Sequence, residues 1–203
     1  MNELERIALE MSTYSDMLVK QGLLHLKGGN LSARSGDDLI ITRTRSFKED
    51  LVAEKLVRAQ VYSDEAVENA SSTLSMHRAI YRKTNAKAIM HAHPYYPALL
   101  SYYRDGFSPL DENGLIYLGK FIPSVTAPDF MAWEEVDDEM AEALATCPAA
   151  ILRWHGVFTI GSSMAEAFHY IQAVDSAARF VYDLLQQEGK LGQPTYPPYV
   201  QAP

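Results

Sequence analysis

A pair of histidines at the end of an apolar run constrains this chain more than any other feature. The stretch Ile89-Met90-His91-Ala92-His93-Pro94 is typical of a buried strand that ends at a proline. Because side chains alternate between the two faces of a strand, His91 and His93 point the same way. Neutral imidazole nitrogens suit zinc and related divalent ions. The pattern therefore predicts a strand end that can hold a metal if the chain supplies further ligands.

Composition sets the class of protein. A length of 203 residues, 47% of them apolar and 22% charged, predicts a single globular domain over 1–203. The balance of 18 basic and 26 acidic residues gives a net charge of −8, which argues against a nucleic-acid or anionic-membrane surface. The single cysteine, Cys147, excludes an internal disulfide. With neither a signal-like leader nor an apolar run of spanning length, we expect a cytoplasmic protein.

The apolar periodicity predicts both helices and strands, with strands that arrive as hairpins and helices between them. The predicted helices cover about residues 2–22, 74–83, 94–103, 133–146 and 164–185. The predicted strands cover about residues 31–34, 39–42, 55–62, 88–93, 115–118, 121–125, 149–153 and 157–161. A tail rich in proline and tyrosine, about 190–203, is expected to lie extended over a surface or a neighbouring subunit.

Two segments have the chemistry of an anion site. The run from Thr42 to Lys48 alternates hydroxyl and guanidinium groups, which bind phosphate by charge-assisted hydrogen bonds, although a plain solvated loop fits the same run. Ser71-Ser72-Thr73 precedes a predicted helix whose first amides are free to hold an anion. The adjacent glycines Gly28 and Gly29 indicate backbone that approaches something closely, or an ordinary loop.

Two other histidines receive different interpretations. His155 follows a predicted strand and precedes a glycine, which makes it a candidate for a third metal ligand. His77 lies on the apolar face of a predicted helix, where a hydrogen-bonded core histidine is the favoured interpretation.

Several of these motifs occur in the order of one known family. They are Gly28-Gly29-Asn30-Leu31-Ser32-Ala33-Arg34, Ile41-Thr42-Arg43-Thr44, Ala70-Ser71-Ser72 with His77, His91-Ala92-His93 and Arg153-Trp154-His155-Gly156. Together they resemble the class II aldolase/adducin family, which includes fuculose- and rhamnulose-phosphate aldolases, ribulose-phosphate 4-epimerase and a methylthioribulose-phosphate dehydratase. The resemblance spans nearly the whole chain. It implies a single-domain α/β/α sandwich with a largely antiparallel central sheet, and tetramers with active sites between subunits.

The resemblance also implies the composition of the site. His91, His93 and His155 match the metal ligands, and the family metal is most often Zn²⁺. Positions that bind substrate phosphate match Gly29, Asn30, Thr44, Ser71 and Ser72. Bound zinc with open positions would stabilise an enediolate formed from a small phosphorylated hydroxyketone or aldehyde.

The chain departs from the family pattern at two positions. Thr73 occupies the place of the acid/base carboxylate, and a threonine hydroxyl is a poor base at neutral pH. Arg45 replaces a glycine of the aldolase phosphate loop, where it either adds a phosphate contact or alters the pocket. The candidates for the missing proton-transfer group are Glu112, Asp111 and a tyrosine (Tyr95, Tyr196 or Tyr199).

These features lead to three hypotheses. The first is a metal-dependent, aldolase-type lyase that acts on a small sugar phosphate. The second is a non-catalytic, adducin-like binding or assembly protein, which the loss of the carboxylate at Thr73 favours. The third is an epimerase-like or dehydratase-like activity on the same scaffold.

Overall fold

The computed structural model describes residues 1–200 and is built on one sheet of seven strands. The helices are α1 (Glu3–Lys20), α2 (Leu74–Lys83), α3 (Tyr95–Leu100), α4 (Glu112–Leu118), α5 (Asp137–Thr146) and α6 (Met164–Gln187). The strands are β1 (Asn30–Ser35), β2 (Asp38–Thr42), β3 (Leu56–Gln60), β4 (Ala88–Ala92), β5 (Ser124–Val125), β6 (Ala149–Leu152) and β7 (Gly156–Gly161).

The strands follow the order β3-β2-β1-β4-β7-β6-β5, and every neighbouring pair is antiparallel except β5 and β6. The strand that carries His91, β4, lies at the centre, and all of its residues are buried. A central strand covered on both faces is apolar throughout rather than alternating. The buried strand predicted from the run before His91 is therefore confirmed.

Helices cover both faces of the sheet. One core contains buried side chains of α1, α3, α4 and α6, and a second contains those of α2 and α5. Alternate strand residues enter opposite cores: Met90 packs with the first and Ile89 with the second. The α/β/α sandwich with a largely antiparallel sheet is thus confirmed. Within residues 1–200, no helix is both long and apolar enough to cross a membrane.

One predicted strand was wrong. Residues 115–118 belong to α4, because the Asp111 carboxylate accepts a hydrogen bond from the Gly114 backbone N–H at 2.9 Å and so caps a helix. A short apolar run fits either period, and the cap decides for the helix. The strand predicted over 121–125 is reduced to β5, with a single bridge between Phe107 and Ile122 before it.

Several element ends differ by a few residues from the prediction. Gly22, with φ of 72°, ends α1 as predicted. Pro94 is the N-cap of α3 rather than its first residue, and the helix predicted from 133 begins as a 3₁₀ turn over Trp133–Val136. In the tail, Thr195 donates its backbone N–H to the Tyr102 carbonyl at 2.6 Å, and residues 201–203 lie outside the described part.

Candidate metal centre and anion pocket

The predicted metal ligands come from the ends of two adjacent strands. His91 is the fourth residue of β4, and His93 follows that strand directly. His155 ends the turn that leads into β7, whose Val157 pairs with Ala92. The antiparallel register therefore brings His155, just before β7, beside His93, just after β4.

The three imidazole rings converge on one point. The Nε2 atom of His91 lies 3.1 Å from Nε2 of His93 and 3.1 Å from Nε2 of His155. One nitrogen from each ring lies within 4.8 Å of the others. Tetrahedral zinc with Zn–N bonds of about 2.0–2.1 Å holds its ligand nitrogens roughly 3.3 Å apart. The donor set and its spacing therefore fit a divalent metal.

The protonation state of these rings also suits a metal. His91 donates its Nδ1–H to the Val157 carbonyl at 3.1 Å, which leaves the Nε2 lone pair directed at the cluster. Burial lowers the pKa of His93 to about 3 and that of His155 to about 4. Burial, followed by the neighbouring His93 and His155, lowers the pKa of His91 well below its ordinary value. All three rings are consequently neutral at pH 7, as metal ligation requires.

Glycines leave room for the rings. A Cβ on Gly28 would lie 2.7 Å from Nδ1 of His93, and a Cβ on Gly156 would lie 2.7 Å from Cδ2 of the same ring. Gly29 has a φ of 58°, and its Cβ would collide with the His91 carbonyl. The close approach predicted from the two adjacent glycines is thus an approach to the histidine cluster.

A pocket adjoins the cluster, and the phosphate-type residues predicted from the sequence line it together. These are Gly29, Asn30, Thr44, Arg45, Ser71 and Ser72. Two backbone links hold their loops side by side: an isolated bridge between Arg43 and Ala70, and a hydrogen bond of 3.0 Å from the Thr44 N–H to the Asn69 carbonyl. The two segments with anion chemistry therefore form one surface.

The pocket is strongly cationic for an acidic protein. Lys27, Arg43 and Arg45 line it, and within residues 1–200 none of them forms an ion pair with a carboxylate. Lys27 lies over the ring of Phe47, 4.8 Å from its centroid. Arg45 adopts a φ of 55°, in the left-handed region that favours glycine. These side chains are free to contact an anionic ligand.

Among residues 1–200, neither an aspartate nor a glutamate lines the pocket. Thr73 does line it, at the N-cap of α2, where its hydroxyl lies 3.3 Å from that of Ser71 and makes no helix-capping hydrogen bond. Glu112 is exposed at the start of α4, a helix that packs against α6, and it is not among the lining residues. The choice of Glu112 as acid/base therefore finds no support within one chain.

Five lining residues were absent from the predicted site. Lys27 and Gly28 directly precede Gly29, and Arg43 precedes Thr44 within the predicted anion segment, so their position beside those motifs is the signal that could have found them. Met131 and Trp133 come from the segment before α5, and the Trp133 ring packs 4.9 Å from the ring of His155, centroid to centroid. No local pattern connects that segment to the histidines.

The α/β/α sandwich, with its three-histidine cluster beside a cationic pocket, has the architecture of the class II aldolase fold. The chain belongs to the class II aldolase/adducin family: residues 10–182 match the Class II Aldolase and Adducin N-terminal domain.

Curated relatives fall into two groups. Gamma-adducin of Rattus norvegicus is 30% identical over 172 residues, which cover 77% of this chain and 23% of that protein. The chain thus spans about a quarter of the adducins it matches, with 25% for the human protein. An L-fuculose phosphate aldolase of Methanococcus vannielii is 28% identical over 158 residues, covering 75% of this chain and 82% of the relative.

Among solved structures, the L-fuculose-1-phosphate aldolase of Thermus thermophilus is similar over nearly its whole length. It is 29% identical, with a TM-score of 0.85, and the match covers 91% of this chain and 96% of the other. This likeness confirms the fold implied by the sequence motifs.

Proposed function

We propose that the protein is a divalent-metal-dependent lyase of the aldolase type that acts on a small sugar phosphate. The observation that carries the proposal is the convergence of three neutral imidazoles beside a cationic, hydroxyl-lined pocket. The similarity to proteins named L-fuculose phosphate aldolase supports it and makes L-fuculose 1-phosphate the first substrate to test.

The side chains have distinct roles in this proposal. His91, His93 and His155 hold the cation, for which we propose Zn²⁺ because all three donors are imidazoles. When bound, the cation supplies Lewis acidity toward the carbonyl and hydroxyl oxygens of a hydroxyketone. The phosphate is bound by the backbone and side chains of Gly29, Asn30, Thr44, Arg45, Ser71 and Ser72. Holding the phosphate away from the cation fixes the orientation of the carbons between them.

Within residues 1–200, the site has no carboxylate for proton transfer. A hydroxyl at Thr73 orients a substrate oxygen by hydrogen bonding, but it does not accept a proton at neutral pH. We therefore assign Thr73 a binding role, and we infer that the wild-type protein turns over slowly. The same proposal includes two further points. The protein forms a tetramer in which neighbouring subunits complete each pocket, and it is located in the cytoplasm.

A non-catalytic binding protein on this scaffold is the second candidate. The pocket without a carboxylate in residues 1–200 favours it, as does the similarity to gamma-adducin over 77% of the chain. Epimerase-like or dehydratase-like chemistry ranks below both, because each needs a proton-transfer group as well.

The deciding experiment follows L-fuculose 1-phosphate by ³¹P NMR after incubation with zinc-loaded protein. The lyase proposal expects the signal of the substrate to be replaced by that of a shorter phosphate ester, and expects no change with the His155→Ala variant. A zinc-loaded protein that leaves this and a panel of other hydroxyketone phosphates intact would contradict the proposal and favour the binding protein.

A further inference from the structure

A row of buried polar groups runs from the core to the pocket. The Tyr81 hydroxyl lies 2.9 Å from the Ser32 hydroxyl, which lies 2.7 Å from Nδ1 of His77. On its other side, Nε2 of His77 lies 2.5 Å from Oδ1 of Asn30. Tyr81, Ser32 and His77 are at most 1% exposed and Asn30 is 5% exposed, so water does not compete for these bonds.

The positions of the protons fix the direction of hydrogen-bond donation along the row, from Tyr81 toward Asn30. Within residues 1–200 the Tyr81 hydroxyl has no hydrogen-bond partner other than Ser32, so its proton is donated there. The Ser32 proton then goes to Nδ1 of His77, which leaves the ring proton on Nε2. That Nε2–H is donated to Oδ1 of Asn30. The reverse order would leave a buried phenol proton without an acceptor, which is unfavourable.

The last bond decides which way the Asn30 amide faces. With Oδ1 held by His77, the Nδ2 hydrogens remain, and they have no acceptor in the described part of the chain. Asn30 lines the pocket beside His91 and Ser71. The amide therefore offers the pocket a donor, which suits an anion, whereas a flipped amide would offer an oxygen that repels one.

We propose that His77 is a positioning residue: from behind the pocket it fixes Asn30 so that the amide N–H groups face the ligand phosphate. The inference rests on the proposed function, in which this pocket binds a phosphate monoester. His77 itself does not line the pocket, and its role passes through a single hydrogen bond. Ser32 and Tyr81 extend the same role by fixing the tautomer of His77.

The pKa values of His77 and Tyr81 keep each group in one protonation state at neutral pH. Burial lowers the pKa of His77 to about 3, so the ring stays neutral at pH 7. Burial raises the pKa of Tyr81 above its ordinary value, so the phenol stays protonated. The direction obtained from the hydrogen bonds is consequently stable over the whole neutral range.

The first test reads the tautomer directly. Two-dimensional ¹H–¹⁵N NMR of the zinc-loaded 203-residue protein distinguishes a histidine protonated at Nε2 from one protonated at Nδ1. The proposal expects His77 in the Nε2–H form, and it expects the Tyr81→Phe variant to contain a mixture of both forms. A wild-type ring protonated at Nδ1 would overturn the proposal whether or not the protein binds phosphate.

The second test uses two isopolar variants of His77. A glutamine places its amide nitrogen near the position of Nε2 and so keeps a donor for Asn30, whereas an asparagine reaches only the position of Nδ1. Calorimetric titration with glycerol 3-phosphate should show near wild-type affinity for His77→Gln. For His77→Asn we expect a loss of about tenfold to a hundredfold, the range for one hydrogen bond to a charged group.

Zinc content and thermal midpoint, measured on the same samples, separate positioning from misfolding. The expected pattern is equal zinc content in wild type and both variants, with phosphate affinity reduced only in His77→Asn. If the wild type binds glycerol 3-phosphate and the two variants bind it equally well, the positioning role is wrong and the proposed function stands. If the zinc-loaded wild type does not bind the ester at all, both are wrong.

Discussion

Asn30 and His91 are direct partners on the neighbouring strands β1 and β4. One residue belongs to the proposed phosphate contacts and the other is the central ring of the histidine cluster. Because pairing in a sheet fixes the positions of both backbones, the distance between the histidine cluster and the cationic pocket is set by the sheet rather than by flexible loops.

Restoring a carboxylate at position 73 should increase activity. We expect Thr73→Glu to raise cleavage of a hydroxyketone phosphate by about a hundredfold, the lower end of the usual effect of general acid–base catalysis. Thr73→Gln is the matched control, because it has the same size but no basic group. Equal rates for the two variants, with zinc content unchanged, would show that a missing base is not what limits this site.

Arg45 should contribute binding energy but little stability. Its left-handed φ of 55° suits glycine, so Arg45→Gly relieves strain of about 1 kcal/mol while it removes a cation from the pocket. We expect glycerol 3-phosphate affinity at low salt to fall by about tenfold, with a smaller loss at high salt because screening already weakens the contact. Lys83→Gln is the control, since that exposed lysine pairs with Glu142. Unchanged affinity at both salt concentrations would remove Arg45 from the site.

The buried His77 should make stability fall in acid. Burial lowers its pKa from the ordinary 6.5 to about 3. Between pH 6.5 and pH 3, the ring therefore binds a proton in the unfolded chain but not in the folded chain. Stability is complete above about pH 6.5 and decreases as the pH falls toward 3, by about 1.4 kcal/mol per pH unit for this one group.

Urea unfolding of the wild type and of His77→Gln at several pH values isolates that contribution. Within residues 1–200, His77 makes hydrogen bonds to Asn30 and Ser32 and an edge contact with the Phe158 ring, and none of these partners is a carboxylate. The one titratable group in that range that interacts electrostatically with it is His91. The variant should therefore lose less stability between pH 6.5 and 4 than the wild type. Parallel pH profiles would mean that His77 does not titrate in this range.

The sequence predicted the part of the candidate site that depends on local spacing. His91 lies in β4 and His93 directly follows it, so the two-residue spacing placed both rings on one side. Its place between a predicted strand and a glycine made His155 a candidate third ligand, and the family resemblance then matched it to the same site. Its position beside the other two rings could not be deduced from periodicity, because that does not give the antiparallel register. The favoured interpretation of His77 as a hydrogen-bonded core histidine agrees with its contacts to Asn30 and Ser32.

The parts that could not be predicted depend on contacts between distant segments. Met131 and Trp133 line the pocket from a turn whose sequence has no local pattern that indicates a site. Residues 115–118 looked like a strand because their apolar run fits either period, and the Asp111 cap that makes them helical lies just outside that run. Glu112 was chosen for its acidity alone, and its helix packs elsewhere.

The central claim is tested most directly by the metal content of the purified protein, measured by plasma mass spectrometry without added metal. We expect about one zinc or similar ion per chain in the wild type, the stoichiometry of a three-ligand site, and none in His93→Ala. His169→Ala is the matched control, because that histidine lies on α6 beside Tyr117. A wild type that neither contains metal nor takes up added zinc, or a His93→Ala variant that keeps its metal, would contradict the account.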